Sequence, residues 1–186
     1  MMLAGREGVA QGLNRAFELV EEGVRLGCHH CQGVMAEGYR WDCGCVRDAA
    51  RSLELARESS GKGSRYGQFA LGELFDDAGL GGVAQDDAQA LALYRLAAAQ
   101  NLDGAQSSLG FMYDYGHGVA QDDAEALRWY QLAAAQGHPE ALYMVATLHE
   151  FGRCFRENKA EAICWYRRAQ AAGHPYAAYA LQRLRA

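Results

Sequence analysis

Apolar side chains recur at intervals of three and four residues along most of the chain, and each run is short. Between residues 105 and 115 the apolar positions are Ala105, Leu109, Met112 and Tyr113. This spacing places them on one face of a helix. Gly116 follows directly, and a glycine just past an apolar run is a typical helix end. The pattern therefore predicts an all-α chain of short helices that are separated by tight turns.

A second run follows, and it carries start and stop signals of its own. Asp122 precedes it as a helix N-cap, and Glu125 three residues later completes a capping-box pattern that recurs at Asn158. Gly137 stands just past its end, and Pro139 opens the next helix, where a missing N–H is tolerated. The two runs thus predict a pair of helices, a first helix and a second helix.

The chain repeats this helix pair. Residues 119–136 read VAQDDAEALRWYQLAAAQ and residues 83–100 read VAQDDAQALALYRLAAAQ, with fourteen of the eighteen positions identical at an offset of 36 residues. Identity at a fixed period is the signature of tandem structural repeats. Helices this short are marginal alone, so neighbouring pairs should stack into a continuous α-solenoid.

First helices are predicted near 30–41, 66–77, 103–115, 139–151 and 175–185. Second helices are predicted near 12–26, 48–60, 87–100, 123–136 and 158–172. One position of the first helices is small in three repeats, at Gly72, Gly110 and Ala146. A large side chain there would force two closely approaching helices apart. We expect the large partners Tyr113, Trp129 and Tyr130 to fill the remaining space.

The repeated residues resemble the Sel1-like repeat, a relative of the tetratricopeptide repeat. The matching pattern is A-x-x-x-L-G-x-x-Y-x-x-G-x-G-V followed by A-x-x-W-Y-x-x-A-A-x-x-G, and it runs from Ala105 to Gly137. The resemblance implies a right-handed α-solenoid of antiparallel helix pairs. It divides residues 1–186, as a single repeat domain, into a partial repeat 1–29, repeats near 30–65, 66–103, 104–139 and 140–175, and a capping helix 176–186.

The resemblance also implies a role. Sel1-like proteins are adaptors and scaffolds that assemble protein complexes. We therefore expect an interaction scaffold that binds a partner protein or peptide on the concave side of the solenoid. The matching residues are those of the fold's own core, so the family supplies no catalytic residue. We expect neither enzymatic activity nor a cofactor.

The candidate binding face lies on the first helices. Positions equivalent to 107, 111 and 114 share one side of each helix, away from Leu109 and Tyr113. If the first helices line the concave wall, that wall is acidic with embedded aromatic residues, which suits capture of a peptide or protein. The alternative is a merely solvated face. The candidate partner-binding residues are Glu37, Arg40, Phe69, Glu73, Asp76, Phe111, Asp114, Tyr143 and Glu150.

Charge and hydropathy exclude some partners. The net charge is −5, whereas a dedicated nucleic-acid binder usually carries a basic face, so we expect no nucleic-acid partner. No run reaches the roughly 18 apolar residues of a membrane span. The N-terminal sequence lacks the apolar segment of about 7 to 15 residues that marks a secretory signal. An intracellular location is therefore favoured, although the sequence names no compartment.

A cluster of cysteines and histidines near the N-terminus is the alternative to a binding role. Cys28 and Cys31 flank two histidines, and Cys43 and Cys45 follow, a combination similar to a zinc set. It would support a metal-dependent or hydrolytic enzyme. However, the predicted helix between the two pairs separates them by roughly 18 Å, too far for one tetrahedral zinc ion. A smaller site on Cys28, His29 and Cys31 stays open, and metal analysis would reveal it.

The resemblance bears on the thiols as well. Some Sel1-like families join each repeat with a disulfide between cysteines seven residues apart. Cys31 occupies one such position, but its partner position holds Val24. We expect no ladder of disulfides and take the cysteines as reduced thiols.

The first predicted helix presents an apolar side that has no upstream neighbour in this sequence. That side consists of Phe17, Leu19, Val20 and Val24. Upstream repeats, a partner or self-association through this helix should cover it. It leaves open a further alternative, a purely structural segment of a larger repeat protein.

Overall fold

A computed structural model describes residues 15–41, 47–77 and 83–184 of the chain. In these ranges the secondary structure is helical, as the apolar spacing predicted. The helices are α1 (15–25), α2 (His29–Trp41), α3 (Ala49–Gly61), α4 (Arg65–Asp76), α5 (Asp87–Ala99), α6 (Asp103–Tyr115), α7 (Asp123–Ala135), α8 (Pro139–Phe151), α9 (Lys159–Ala171) and α10 (Ala177–Arg183). The all-α prediction is confirmed.

The helices pack in sequential pairs within two compact units. In the unit Met1–Gln100, α2 packs on α3 and α4 on α5, and α3 also contacts α4. In the unit Asn101–Ala186, α6 packs on α7 and α8 on α9, and α10 closes the series against α9. Each second helix thus covers its own first helix and, within a unit, supports the next.

The starts of four second helices, α3, α5, α7 and α9, are fixed by the same pair of bonds. An Asp or Asn side chain caps the helix, and the N–H of the same residue donates to a carbonyl near the end of the preceding first helix. These backbone bonds run from the N–H of the capping residue to a carbonyl: Asp48 to Tyr39 (3.1 Å), Asp86 to Phe75 (2.9 Å), Asp122 to Tyr113 (2.9 Å) and Asn158 to His149 (2.9 Å). The N-caps predicted at Asp122 and Asn158 are confirmed. Because the Asp122 N–H is occupied by Tyr113, it is not available to Glu125 as a capping box would require.

Glycine ends two of the first helices in a conformation that other residues rarely adopt. Gly116 has a φ angle of 75° and Gly152 one of 64°, and both N–H groups donate to carbonyls in the last helical turn. This is the left-handed C-cap that the sequence predicted. It reverses the chain toward the next N-cap.

The core of the N-terminal unit is made of small and medium apolar residues. It is formed by Met35, Ala36, Leu55, Ala56, Ala70 and Leu74. Two buried serines stand where the later repeats have alanine, and both are hydrogen-bonded internally. Ser52 Oγ donates to the Ala36 carbonyl (2.7 Å), and Ser59 Oγ donates to the His29 carbonyl (2.6 Å). A buried hydroxyl that is hydrogen-bonded adds little penalty to the fold.

A tyrosine from each of three second helices fills the space beside the small position of its first helix. The three are Tyr94, Tyr130 and Tyr166, and each is at most 1% exposed. A methyl group added at Gly110 would lie 2.5 Å from the Tyr130 ring, and one at Gly72 would lie 2.8 Å from the Tyr94 ring. The predicted need for a small residue at these two positions is confirmed.

Most of the apolar side of α1 is covered from within the N-terminal unit. Phe17, Val20 and Val24 pack against its core, and the Phe17 ring meets Tyr39 edge-on at 5.8 Å. Leu19 alone of the four predicted residues is strongly exposed, at 54%. The expectation that this whole side needs an outside cover is therefore corrected, because α2 provides it.

None of the helices in the described ranges is long and apolar enough to cross a membrane.

Candidate partner-binding face

In the N-terminal unit, the predicted face contains a nearly buried ion pair. Arg40 on α2 is only 8% exposed, and its guanidinium lies 2.6 Å from a carboxylate oxygen of Glu73 on α4. A second carboxylate, that of Asp77, lies 3.4 Å from the same side chain. These charges hold α2 and α4 together, so they are not free to attract a partner.

Asp76 accepts a hydrogen bond from the second helix of its own repeat. The hydroxyl of Tyr94 on α5 donates to Asp76 Oδ2 at 3.2 Å. Burial raises the pKa of Tyr94, which keeps its hydroxyl protonated as a donor. Phe69 lies on the same side, with its ring centroid 5.8 Å from that of Tyr94. Both predicted residues thus belong to the packing of α4 on α5.

The carboxyl of Glu37 lies near Arg40 and Glu73, and its pKa is strongly raised. Its burial, and next the charge of Glu73, raise its pKa from 4.5 to about 8, although Arg40 acts in the opposite direction. Between about pH 4.5 and pH 8 the folded chain therefore retains a proton that the unfolded chain has lost. Unfolding then releases that proton, so the free energy of unfolding falls as pH rises through this window.

Replacing Glu37 by glutamine is expected to remove this pH dependence. The variant should be more stable than the parent at pH 8, by on the order of 2 kcal/mol, and equal to it near pH 4.5. Urea unfolding at both pH values measures the difference. Glu22→Gln on the exposed side of α1 is the matched control and should change stability at neither pH. An equal effect of Glu37→Gln at both pH values would contradict the assignment.

In the C-terminal unit, Asp114 is buried rather than presented to solvent. It is 1% exposed, and the hydroxyl of Tyr130 on α7 lies 3.4 Å from its Oδ2 as a donor. Its Oδ1 lies 2.5 Å from the guanidinium of Arg153, which follows α8 in the next repeat and also bonds to Asp123. The carboxylate therefore links three segments of the unit.

Glu150 repeats this arrangement one repeat later. Its Oε2 accepts a hydrogen bond of 2.7 Å from Tyr166 on α9, and Arg183 on α10 lies 2.5 Å from its carboxylate. Tyr143 lies about two turns before Glu150 on the same side of α8. Its ring packs against that of Tyr166 at 5.1 Å and stacks on that of His174 at 4.1 Å. Glu150 and Tyr143 again serve the interior of the unit.

The predicted residues share one side of each first helix, but most of that side is covered rather than exposed. Positions equivalent to 114 do share one helix side, and in three repeats they hold an acid: Asp76, Asp114 and Glu150. That side is covered by the tyrosine of the second helix and, in the C-terminal unit, by an arginine of the following repeat. The expectation of a solvent-facing acidic wall is corrected accordingly. Whether the predicted residues contact a partner stays a prediction.

One predicted residue does face solvent, and it has exposed aromatic neighbours. Phe111 is 41% exposed and lies 4.5 Å from Tyr115, which is 56% exposed, and 5.4 Å from the ring of His117. In the next repeat Phe151, at the position of Tyr115, is 63% exposed. Phe111, Tyr115, His117 and Phe151 form what we call the exposed aromatic group.

Three members of this group, Tyr115, His117 and Phe151, were not among the predicted site residues. Tyr115 and Phe151 stand in the same register, directly after the buried acids Asp114 and Glu150 and directly before the C-cap glycines. The signal was present in the sequence as an aromatic residue repeated at the last position of two first helices. Tyr115 and Phe151 are the last residues of α6 and α8, and both are exposed.

The N-terminal cysteines and histidines do not assemble a metal site in the described residues. Cys28 and Cys31 lie together at the start of α2, whereas the Nδ1 atom of His30 is 2.8 Å from Ser64 Oγ. No group of three or more potential ligands gathers in the ranges that the structure covers. The predicted partners Cys43 and Cys45 lie outside those ranges.

Comparison with known families gives one clear match. The profile of the Sel1 repeat family matches residues 65–102, 104–138 and 139–174, which together make up more than half of the chain. No curated protein matches the sequence.

Solved structures show the same architecture. A Sel1 repeat protein from Oxalobacter formigenes superposes with a TM-score of 0.74 at 21% identity, over 90% of this chain and 74% of that one. The protective antigen c5321 of uropathogenic Escherichia coli, which displays an SLR fold, gives 0.73 at 26% identity, over 92% of this chain but only 40% of the antigen. The immunity protein Pa5087 of Pseudomonas aeruginosa gives 0.63 at 21% identity, over 90% and 61% of the two chains. The helix pairs described above are thus those of the Sel1-like, tetratricopeptide-related fold.

Proposed function

This chain belongs to the Sel1 repeat family, and from its repeats and its exposed aromatic group we propose that it binds a partner protein or peptide and catalyses no reaction. The partner is captured by the first helices of the C-terminal unit. A protein from Pseudomonas aeruginosa with this fold is named an immunity protein, but at 21% identity that likeness concerns the fold alone.

The observation that carries the proposal is the exposure of three aromatic rings, two of which, Tyr115 and Phe151, share one register. Phe111, Tyr115 and Phe151 are 41%, 56% and 63% exposed, on α6 and on α8, which contact each other. Large aromatic side chains at a surface supply most of the binding energy where a partner buries them. A group of rings on successive first helices therefore supports docking of apolar side chains.

The buried acids give this surface its rigidity. Asp114 and Glu150 stand next to Tyr115 and Phe151 in the chain, and each is held by a tyrosine and an arginine. The backbone that carries the exposed rings is therefore fixed before a partner arrives. Preorganised side chains lose less conformational entropy on binding, which raises affinity. The predicted residues Asp114 and Glu150 act here as supports rather than as contacts.

Selection of peptides from a random display library on the full chain tests the proposal without a known partner. We expect enriched peptides that carry apolar or aromatic side chains. Replacing Phe111, Tyr115 and Phe151 by serine, singly, should weaken binding of those peptides at least tenfold each, since a central aromatic contact contributes about 2 kcal/mol or more. Fluorescence anisotropy of a labelled peptide measures the loss.

Leu132→Ser is the matched control, because Leu132 is 44% exposed in the same unit but lies on the second helix α7. It should leave peptide binding unchanged. If the control weakens binding as much as the aromatic variants, the surface is wrongly assigned. If no peptide is enriched at all, the alternative of a purely structural segment is favoured.

A further inference from the structure

Two thiols meet at the turn between α1 and α2, in the N-terminal unit. Cys28 and Cys31 enclose two histidines, and their Sγ atoms are 2.7 Å apart, with the Cys31 thiol donating to Cys28. The backbone N–H of Cys31 also donates to Cys28 Sγ, at 3.2 Å. Both residues are partly exposed and neither is in a disulfide.

From this contact we propose that Cys28 and Cys31 form a redox-active dithiol, which exchanges with small-molecule disulfides and closes reversibly to an internal disulfide. The site lies in the N-terminal unit and is independent of the proposed binding role. It needs no metal ion and no third ligand.

The two cysteines differ in how readily their thiols lose a proton. Cys28 stands directly before α2, where unpaired backbone N–H groups stabilise negative charge on its sulfur. The hydrogen bond from the Cys31 thiol, and next the backbone N–H of Cys31, lower the pKa of Cys28. The same thiol–thiol bond, together with burial, raises the pKa of Cys31. Cys28 is thus the attacking thiolate and Cys31 the resolving thiol.

Gly23 makes room for the resolving thiol. A methyl group on Gly23 would lie 2.5 Å from Cys31 Sγ, so the sulfur sits directly against the α1 backbone. The turn itself is fixed, because the Cys28 N–H donates to the Gly23 carbonyl at 2.9 Å and the Gly27 N–H to the Val24 carbonyl at 2.9 Å. The two sulfurs are therefore held in contact by the fold, not by chance encounter of flexible side chains.

The reaction balances with glutathione disulfide as the oxidant. The Cys28 thiolate attacks one sulfur of glutathione disulfide, and the other leaves as a glutathione thiolate that takes up a proton. The Cys31 thiol then loses its proton and attacks Cys28 Sγ, which releases the second glutathione. Two cysteine thiols are oxidised and one disulfide is reduced to two thiols, and excess glutathione reverses both steps.

The test uses the full chain equilibrated in glutathione buffers of increasing oxidised fraction, then acid-quenched, alkylated and digested with trypsin. Cys28 and Cys31 fall together in the peptide 26–40, while Cys43 and Cys45 fall in 41–47. In reducing buffer we expect peptide 26–40 to carry two alkyl groups. In oxidising buffer we expect it to carry none and to weigh two hydrogen atoms less than the free dithiol peptide, and the change should be reversible. Cys31→Ser should instead accumulate a glutathione adduct on Cys28, at least tenfold faster than any adduct forms on Cys31 in Cys28→Ser.

Cys164→Ser is the matched control, because Cys164 is an exposed single thiol. It should leave the redox midpoint of peptide 26–40 unchanged. Circular dichroism confirms that each variant is folded. The proposal is overturned if peptide 26–40 remains a dithiol in excess glutathione disulfide, or if its cysteines pair with those of peptide 41–47 instead.

Discussion

Replacing Arg40 by methionine is expected to lower the free energy of unfolding by about 3–5 kcal/mol at pH 8, the largest effect of any single change considered for this chain. Arg40 is 8% exposed and pairs with Glu73, which is itself 17% exposed. Methionine keeps the length and apolar stem of the side chain but removes the charge. Glu37 and Glu73 then stay in the interior with no counter-charge between them, and a buried carboxylate without a partner is strongly destabilising.

The effect should depend on pH in a defined direction. Burial raises the pKa of both Glu37 and Glu73, so lowering the pH favours the protonated carboxyls in the folded chain, and a protonated carboxyl needs no cation. The loss in Arg40→Met should therefore shrink when urea unfolding is repeated at pH 5. Arg57→Met, on the exposed side of α3, is the matched control and should change stability by less than about 0.5 kcal/mol. Equal losses in the two variants would show that Arg40 is not the counter-charge of the cluster.

The fold was predictable because its signals are local and repeated. The α6 and α7 boundaries, Asp103–Tyr115 and Asp123–Ala135, match the predicted 103–115 and 123–136 within one residue. Gly116 and Asp122 dictate those ends through backbone geometry and capping, which depend on the residues themselves. The start of α10 was less accurate, at Ala177 rather than 175, because Pro175 and Tyr176 form a further turn in which the Ala177 N–H donates to the His174 carbonyl.

The candidate face was harder to predict because its exposure is decided by distant residues. Asp114 looks like a surface acid from its own helix, but the tyrosine that covers it comes 16 residues later and the arginine from the next repeat. The spacing within α6 alone predicts neither of these contacts. The sequence does contain a hint, since the repeat whose second helix has Ala56 in place of the tyrosine carries Arg40 in place of the acid. Acid and tyrosine are thus exchanged together, as expected for residues in contact.

That exchange also explains how one repeat differs from the others without leaving the fold. Where Tyr94 and Tyr166 donate to an acid of their own repeat, Ala56 has no hydroxyl to offer. Arg40 instead reaches forward to Glu73 of the following first helix. Where the tyrosine is present, it satisfies the interior acid, joined in the C-terminal unit by an arginine from further along the chain; where it is missing, Arg40 is satisfied by the following first helix. The small position beside it stays small in both cases.

Replacing Gly110 by alanine is expected to destabilise the C-terminal unit, although alanine is the better helix former. The new methyl group would lie 2.5 Å from Cδ1 and 2.6 Å from Cε1 of Tyr130. The ring cannot move aside, because Tyr130 is 1% exposed and its hydroxyl is tied to Asp114. Helices α6 and α7 must separate instead, and overpacking of this kind costs about 1–3 kcal/mol, which exceeds the helix-propensity gain of roughly 1 kcal/mol.

The cause can be separated from a general intolerance of alanine. Gly61→Ala adds the same methyl group to a helix where no atom lies within 4 Å, so its stability should be unchanged or raised by up to about 1 kcal/mol. Combining Gly110→Ala with Tyr130→Leu should recover part of the loss, since the smaller side chain vacates the space that the methyl group needs. Additive losses in this double-mutant cycle would place the strain elsewhere. The following repeat does accommodate an alanine at this position, since Ala146 is 0% exposed beside Tyr166. Recovery in the double mutant would therefore show that the placement of Tyr130, rather than the backbone of α6, requires a glycine at position 110.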